Sequence, residues 1–377
     1  MNPVYLDCNA TTPIEPEVLE TVRRYLAEEF GNPASTHCFG RRAQAAVQRA
    51  REEVAAVVAG EPDEVIFTSG ATEANNLALL GLAPYGEETG RRHILASAVE
   101  HKAVLEPLEQ LKRRGFEIEL IPVDADGRVK VDLLQEALRP ETLLVSVMHV
   151  NNETGIIQPL DRICATLEGH PAFLHSDAAQ GFGKELALLT SPRLDLISIS
   201  GHKVYGPKGI GALIARKRGG IALPLAPIMY GGGQEGGLRP GTLATPLIAG
   251  LGTAARLALA NHAERTAACV AFRERALAAL EPLRPYLNGN PQHSLPHAVN
   301  LALPKILAEE AVDALQHLVA VSTTSACNSS RTAPSHVLAA MGIPRPRAVA
   351  SLRLAWCHLT PEPDWKGVAE VLKRLQK

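Results

Sequence analysis

Around Lys203 the chain reads Ser198-Ile199-Ser200-Gly201-His202-Lys203-Val204-Tyr205-Gly206-Pro207-Lys208-Gly209. An apolar run, Leu194 to Ile199, ends in small polar residues that surround Lys203, and glycines follow. The run is long enough for a buried strand and short for a helix, which puts Lys203 in a loop just past the strand's carboxyl end. Open α/β sheets bind their ligands at that edge. A lysine held there can lose its proton and form a Schiff base with an aldehyde, given a phosphate anchor and an acid to keep a ring nitrogen protonated.

Both partners stand elsewhere in the chain. The segment Thr68-Ser69-Gly70-Ala71-Thr72-Glu73-Ala74-Asn75-Asn76 follows an apolar run and opens a helix. Its small residues let free N–H groups face an anion that the helix dipole favours, although the same residues also suit an ordinary N-cap. Ser200 and His202 would add phosphate donors. In His175-Ser176-Asp177-Ala178-Ala179-Gln180, Asp177 sits at a strand end, 26 positions before Lys203. A buried carboxylate below a pyridine ring keeps the ring nitrogen protonated. An isolated aspartate would read as a helix cap; beside the cradle and the lysine it reads as the ring's partner. Glu100-His101-Lys102 and His149-Val150-Asn151-Asn152 mark two further strand ends. His101 can stack on a ring and handle protons near neutral pH, and Asn152 can bond a ring oxygen or a substrate carboxylate. The stretch Gly231 to Thr242, GGGQEGGLRPGT, is too glycine-dense for regular structure and reads as a loop approaching a ligand or a second subunit, with Thr242 its candidate donor.

These residues need a scaffold. Apolar runs recur at Val65–Phe67, Ile94–Ala96, Ile118–Ile121, Leu143–Val147, Phe173–His175, Leu196–Ile199 and Gly211–Ile214, separated by helix-length segments, which predicts a mostly parallel sheet. Leu247 to Leu283 has helical spacing and reads as one long helix bridging to a second unit. Val299–Leu303, Val319–Thr323 and Leu352–Leu354 read as strands of a smaller α/β domain, and Pro344-Arg345-Pro346 as a loop. With 38 basic and 40 acidic residues, net charge −2, the 377-residue chain carries no field suited to holding DNA or an anionic membrane. The six cysteines, at 8, 38, 164, 269, 327 and 357, form no CxxC pair, so neither a zinc site nor a disulfide framework is expected, and the chain reads as cytoplasmic. The start Met1-Asn2-Pro3 carries no leader pattern, and no apolar window is long enough to span a bilayer.

With these residues placed, the chain resembles the pyridoxal-phosphate cysteine desulfurases of the NifS/IscS type, within the class V aminotransferase-like group. The motifs run nearly end to end: YLD through ATTP, GNPAS, TSGATE, EHKAV, MHVNNETG, SDAAQ, SGHKVYGPKGIG, GGGQEGGLRPGT and SACNSS. The resemblance implies a fold-type-I homodimer with a seven-stranded, mostly parallel sheet in a large cofactor domain (16–255) and a small α/β domain from both ends (1–15 and 256–377). It implies pyridoxal 5'-phosphate bound by Lys203 as Schiff base, Asp177 at the pyridine nitrogen, Gln180 at the ring oxygen and His101 on the ring face. Ala71, Thr72, Ser200 and His202 would hold the phosphate, with Thr242 reaching in from the other subunit. Arg353 matches the clamp for the substrate carboxylate, a task suited to its bidentate fork. Lys203 and His101 would serve L-cysteine, and Cys327 would attack the substrate sulfur, leaving a persulfide and L-alanine. The sulfur then goes to an acceptor protein.

Three departures bear on the sulfur's destination. Thr323-Thr324 stands where relatives place glycine, and its β-branched stiffness predicts a strand running close to Cys327. Pro240 replaces a serine, and Ala355-Trp356-Cys357-His358 replaces a small-residue segment ending in arginine. Iron–sulfur assembly, tRNA thiolation, thiamine synthesis and DNA phosphorothioation are the candidate destinations, and the stiff turn leans toward the DndA-like branch. A selenocysteine lyase and a partner-dependent sulfur-carrier scaffold with weak activity are the alternatives. GPKGIG does not make a nicotinamide dehydrogenase, because it follows the Schiff-base lysine and lacks a ribose-binding acid at the expected spacing.

Overall fold

The computed structural model describes residues 2–323 and 335–376. Thr324 and the SACNSS turn with Cys327 lie outside the described residues. In chain order the strands are β1 (Val4–Tyr5), β2 (Val65–Thr68), β3 (His93–Ser97), β4 (Glu117–Ile121), β5 (Thr142–Ser146), β6 (Phe173–Asp177), β7 (Leu196–Ser200), β8 (Gly211–Ala215), β9 (Tyr286–Leu287), β10 (Ala298–Ala302), β11 (Val319–Ala320), β12 (Ser322–Thr323) and β13 (Ser351–Ala355). A seven-stranded sheet runs β2-β8-β7-β6-β5-β3-β4, parallel except for β8, which is antiparallel to both neighbours. All seven apolar runs read from the sequence are its strands.

Alternation along each strand divides this sheet's side chains between two layers, as the two-residue period of a strand requires. Val65, Phe67, Leu95, Val145, Leu174, Ile197, Ile199, Ala212 and Ile214 join one apolar cluster with Val18, Val54, Ile248 and Leu251 from helices. Their neighbours Ile66, Ile94, Ala96, Leu144, Phe173, Leu196 and Leu213 join the other, with Leu77, Val104 and Leu108. Burial on both faces is why these runs read as nearly continuous apolar segments.

A second sheet, β12-β13-β10-β9, backs a separate core in which Leu6 from the start of the chain meets Phe272, Leu301, Trp356 and Leu372. The Trp356 and Phe272 rings lie 5.0 Å apart. Three sequence expectations need correction here. Leu247 to Leu283 is two helices, Thr245–Ala260 and His262–Leu280, because Asn261 leaves helical geometry at φ −106°, ψ 14° and lets the chain turn between cores. Val319–Thr323 is split: β11 pairs in parallel with β1, then Val321 buries itself and β12 pairs antiparallel with β13. Pro344-Arg345-Pro346 opens the helix Arg345–Val349, where a proline sacrifices only an N–H that has no helical acceptor. The short β1 and β9 were not legible as apolar runs. No helix among the described residues is long and apolar enough to cross a membrane.

Candidate active site

A cavity of about 620 Å³ opens at the carboxyl ends of the parallel strands. Four strand ends supply its floor: the turn after β2 (Ser69 to Glu73), His101 after β3, Asp177 to Gln180 from β6, and Ser200 to Lys203 from β7. Asp7, Asn9, Ala10 and Thr11 and, from the second sheet, Ser322 and Arg353 form the opposite wall.

Lys203 ends a single 3-10 turn immediately after β7. Its Nζ donates to the carbonyls of Asn9 and Ala10, the latter at 2.8 Å. The Asn9 carbonyl also accepts from Gln180 Nε2 at 2.8 Å, so one peptide unit ties the lysine to the glutamine. Gln180 Oε1 is buried without a partner among the described residues. Asp177, 5% exposed, accepts from Asn75 Nδ2 at 2.7 Å on one oxygen and from the Ala179 N–H at 3.0 Å on the other. Asn75 lies on the helix Ala71–Gly81, one turn inside the cradle.

Ala71 and Thr72 form the first turn of that helix, where N–H groups have no internal acceptors. Glu73 does not point its charge freely into the cavity: its carboxylate accepts from the Ser69 N–H at 2.7 Å and pairs with Arg239 at 2.8 Å. The first-turn N–H groups, Ser200 and His202 thus face the cavity beside a neutralised carboxylate. Burial first, then the charge of Lys203, pushes the His202 imidazole down to about 4, so it is neutral at physiological pH. Its Nδ1 lies 3.2 Å from Thr11 Oγ1. His101 caps the helix Lys102–Arg113, its Nδ1 accepting from the Ala103 N–H at 3.1 Å, and burial lowers its pKa below the usual imidazole value.

On the opposite wall, Arg353 of β13 is 4% exposed. Nη2 pairs with Asp7 Oδ1 at 2.6 Å, Nη1 donates to the Asn152 carbonyl at 3.1 Å, and Nε is buried with no partner among the described residues. The Asn9 amide donates to the same Asn152 carbonyl at 3.1 Å. Asn152 therefore contributes its backbone carbonyl to the wall.

Ten of the residues singled out from the sequence line this one cavity: Ala71, Thr72, His101, Asn152, Asp177, Gln180, Ser200, His202, Lys203 and Arg353. Thr242 does not. It is exposed and lines a different cavity, of about 660 Å³, with Asn32, Arg41 and Arg51. Its loop is pinned by Glu235, which pairs with Arg51 and accepts from the Phe67 N–H at 2.7 Å. Cys327 lies outside the described residues. Sequence reading missed Asp7, Asn9 and Asn75. The stretch from YLD through ATTP contains Asp7 and Asn9, and TSGATEANN contains Asn75, but no local pattern says that an N-terminal segment folds across a strand edge some 190 residues later.

Residues 4–360 match the family model described as aminotransferase class-V. Cysteine desulfurase IscS of Neisseria gonorrhoeae is 41% identical over 373 residues, covering 98% of this chain and 91% of the relative. A solved NifS-like protein superposes with a TM-score of 0.90 at 34% identity, covering 99% of this chain and 98% of that one. DndA from Streptomyces lividans superposes at 0.82 with 50% identity, over 92% and 98%.

Proposed function

This chain belongs to the class-V aminotransferase family, among its cysteine desulfurases, and on that premise we propose that it takes sulfur from L-cysteine with pyridoxal 5'-phosphate, releasing L-alanine. The observation that carries the reading is the convergence of Lys203, Asp177 and Arg353 on one cavity at the carboxyl edge of the sheet. The residues present fit the cofactor. A lysine amine and a buried carboxylate line one cavity, a helix N-terminus with Ser200 and His202 suits a phosphate, and the buried Gln180 amide oxygen, without a partner among the described residues, marks a polar group suited to a ligand. When bound, the cofactor supplies an aldehyde for amines and a ring that accepts electron density from the substrate Cα.

The chain's own residues do the rest. Asn75 and the Ala179 N–H fix the Asp177 carboxylate, so its charge is aimed before any ligand arrives. The Asn9 and Ala10 carbonyls hold the Lys203 amine at the cavity wall, ready to take the substrate Cα proton on Nζ. Arg353 takes the L-cysteine carboxylate, using donors that Asp7 and Asn152 leave free. Cys327 as thiolate attacks the substrate sulfur: an S–S bond forms, the Cβ–S bond breaks with its electron pair passing to the carbon skeleton, and protonation there gives L-alanine. Cys327 keeps the sulfur as a persulfide.

The reading extends to a homodimer in which Thr242 of a second copy completes this cavity; its exposure on the pinned glycine-rich loop, away from its own chain's cavity, supports that. The division into units 16–255 and 1–15 with 256–377 belongs to the same reading and is supported by the separate core around Leu6, Leu301 and Leu372. An acceptor protein takes the sulfur, and the 50% identity to DndA favours the machinery of DNA phosphorothioation over housekeeping cluster assembly. Borohydride reduction of the holoprotein followed by peptide mapping tests the assignment. The reading expects the reduced cofactor on the peptide containing Lys203; a label on another lysine, or none on a yellow protein, would overturn it.

A further inference from the structure

The loop that carries Thr242 is fastened to the edge of the large sheet. β2 is the outermost strand there and pairs only with β8, so the outward backbone groups of Val65 and Phe67 have no strand partner. Such groups must be met by side chains or water. Glu235 Oε2 accepts from the Phe67 N–H at 2.7 Å and from Arg51 Nη1 at 3.0 Å, and Oε1 accepts from Arg51 Nη2. Arg51 Nη1 also donates to the Val65 carbonyl, and its guanidinium carbon lies 4.7 Å from the centre of the Phe67 ring. The Glu235 side chain is 1% exposed, so this two-pronged pair is sealed from water.

The backbone makes a glutamate an unfavourable choice at this position. Glu235 sits at φ 50°, ψ 44°, in the left-handed region, followed by Gly236 at φ 63° and Gly237 at φ 82°. Glycine adopts that conformation without a Cβ penalty. The run Gly231 to Gly237 supplies glycine at five of its seven positions, yet places a carboxylate at this one. From Glu235 the fastening continues toward Thr242. The adjacent Gln234 Oε1 accepts from the Gly241 N–H at 2.9 Å, which fixes the residue just before Thr242. Arg239 Nε donates to Glu73 at 2.8 Å, on the helix that opens the anion cradle.

We propose that Glu235 is a positioning residue for the neighbouring copy's cavity: held on β2, it sets through Gln234 and Gly241 where its chain presents Thr242. The proposal rests on the reading that Thr242 of one copy completes the cavity of the other. A hydroxyl ordered in advance meets the cofactor phosphate without a further ordering cost, and so strengthens binding with no new contact.

Two mixed dimers, isolated with different tags on the two chains, test it. In the first, a Lys203→Ala chain is paired with a Glu235→Gln chain. In the second, one chain carries both substitutions and the other is wild type. Each dimer then has a single cavity with Lys203. The holoprotein is dialysed for set times, borohydride traps the pyridoxal 5'-phosphate that remains, and peptide mapping quantifies it on Lys203. In the first dimer the competent cavity meets an unaltered loop and should keep cofactor as a Lys203→Ala/wild-type dimer does. In the second it meets the altered loop and should lose cofactor about tenfold faster, the effect of weakening one hydrogen bond to a charged group. A defect confined to the folding of the altered chain gives the reverse order; that order, or equal rates, would overturn the proposal.

Glu235→Gly suits the left-handed backbone but lacks the carboxylate, and should show the same order as Glu235→Gln; wild-type retention in both arrangements would count against the proposal. Gln234→Ala leaves the Arg51–Glu235 pair in place, so it serves if Glu235 variants do not fold, and it too should act only in the second arrangement. Thr242→Ala in both arrangements reads the underlying assignment separately. Action on its own chain's cavity would defeat the reading and the proposal together. Action on the neighbour by Thr242→Ala but not by Glu235→Gln would defeat the proposal alone.

Discussion

Arg353 Nη2 and Asp7 Oδ1 lie 2.6 Å apart, one from the last strand, β13, and the other from the segment just after β1. The pair is mostly buried, at 5% and 17% side-chain exposure, so Asp7 sets the guanidinium orientation before a carboxylate arrives. A charge-assisted bond of this kind contributes about 1.5–3 kcal/mol. Asp7→Asn should raise KM for L-cysteine about tenfold while changing kcat less, in steady-state assays of alanine release. An unchanged KM would detach Asp7 from substrate binding.

Asn75 is the only side-chain donor to Asp177 among the described residues. Asn75→Ala leaves one carboxylate oxygen in the core with a lost partner, and a cost of about 1–3 kcal/mol follows from the unmet bond. Cofactor retention should weaken about tenfold, read by visible absorption during dialysis, and Asn75→Asp should be worse than Asn75→Ala because it sets two carboxylates side by side.

Glu100 supplies a pH signature. It is fully buried; Oε1 accepts from Ser97 Oγ at 2.5 Å and the Met148 N–H at 2.6 Å, and Oε2 has no partner among the described residues. Burial pushes its carboxyl up to about 8. The folded protein therefore binds this proton more tightly than the unfolded chain, and the associated stability is fully present below about 4.5 and is lost as pH rises through 8. Glu100→Gln keeps an acceptor and adds donors without the titration. The stability difference, mutant minus wild type, should grow by on the order of a few kcal/mol between pH 5 and pH 8 in denaturant titrations; a flat difference would contradict the assignment.

Trp356 is 1% exposed, stacks near Phe272 and donates from Nε1 to the Cys269 carbonyl at 3.1 Å. Trp356→Ala should cost about 3–5 kcal/mol in equilibrium unfolding. Because the residue follows β13 directly, cysteine turnover should fall with it.

The sheet was legible because its strands other than the edge strand β4 are mostly buried on both faces, so the apolar run announces itself. The site was legible where a residue follows such a run: Asp177, Ser200, His202 and Lys203 all sit within three positions of a strand end. Asp7, Asn9 and Asn75 escaped because their roles depend on which carbonyl or carboxylate lies across the cavity, and tertiary pairing decides that. The misread helix at 247–283 failed for a related reason. Asn261 is a tolerable helix residue by propensity, and only packing against two different cores makes the chain turn there.

The central claim is that sulfur leaves L-cysteine in this cavity and passes to Cys327. The most direct test is a single turnover of the holoenzyme with limiting L-cysteine, quantifying alanine and protein-bound persulfide in wild type and Cys327→Ser. Equimolar alanine and persulfide in the wild type, with both lost in the variant, is the predicted result. Alanine formed in the variant at the wild-type rate would contradict the account, because the sulfur would then leave to another acceptor.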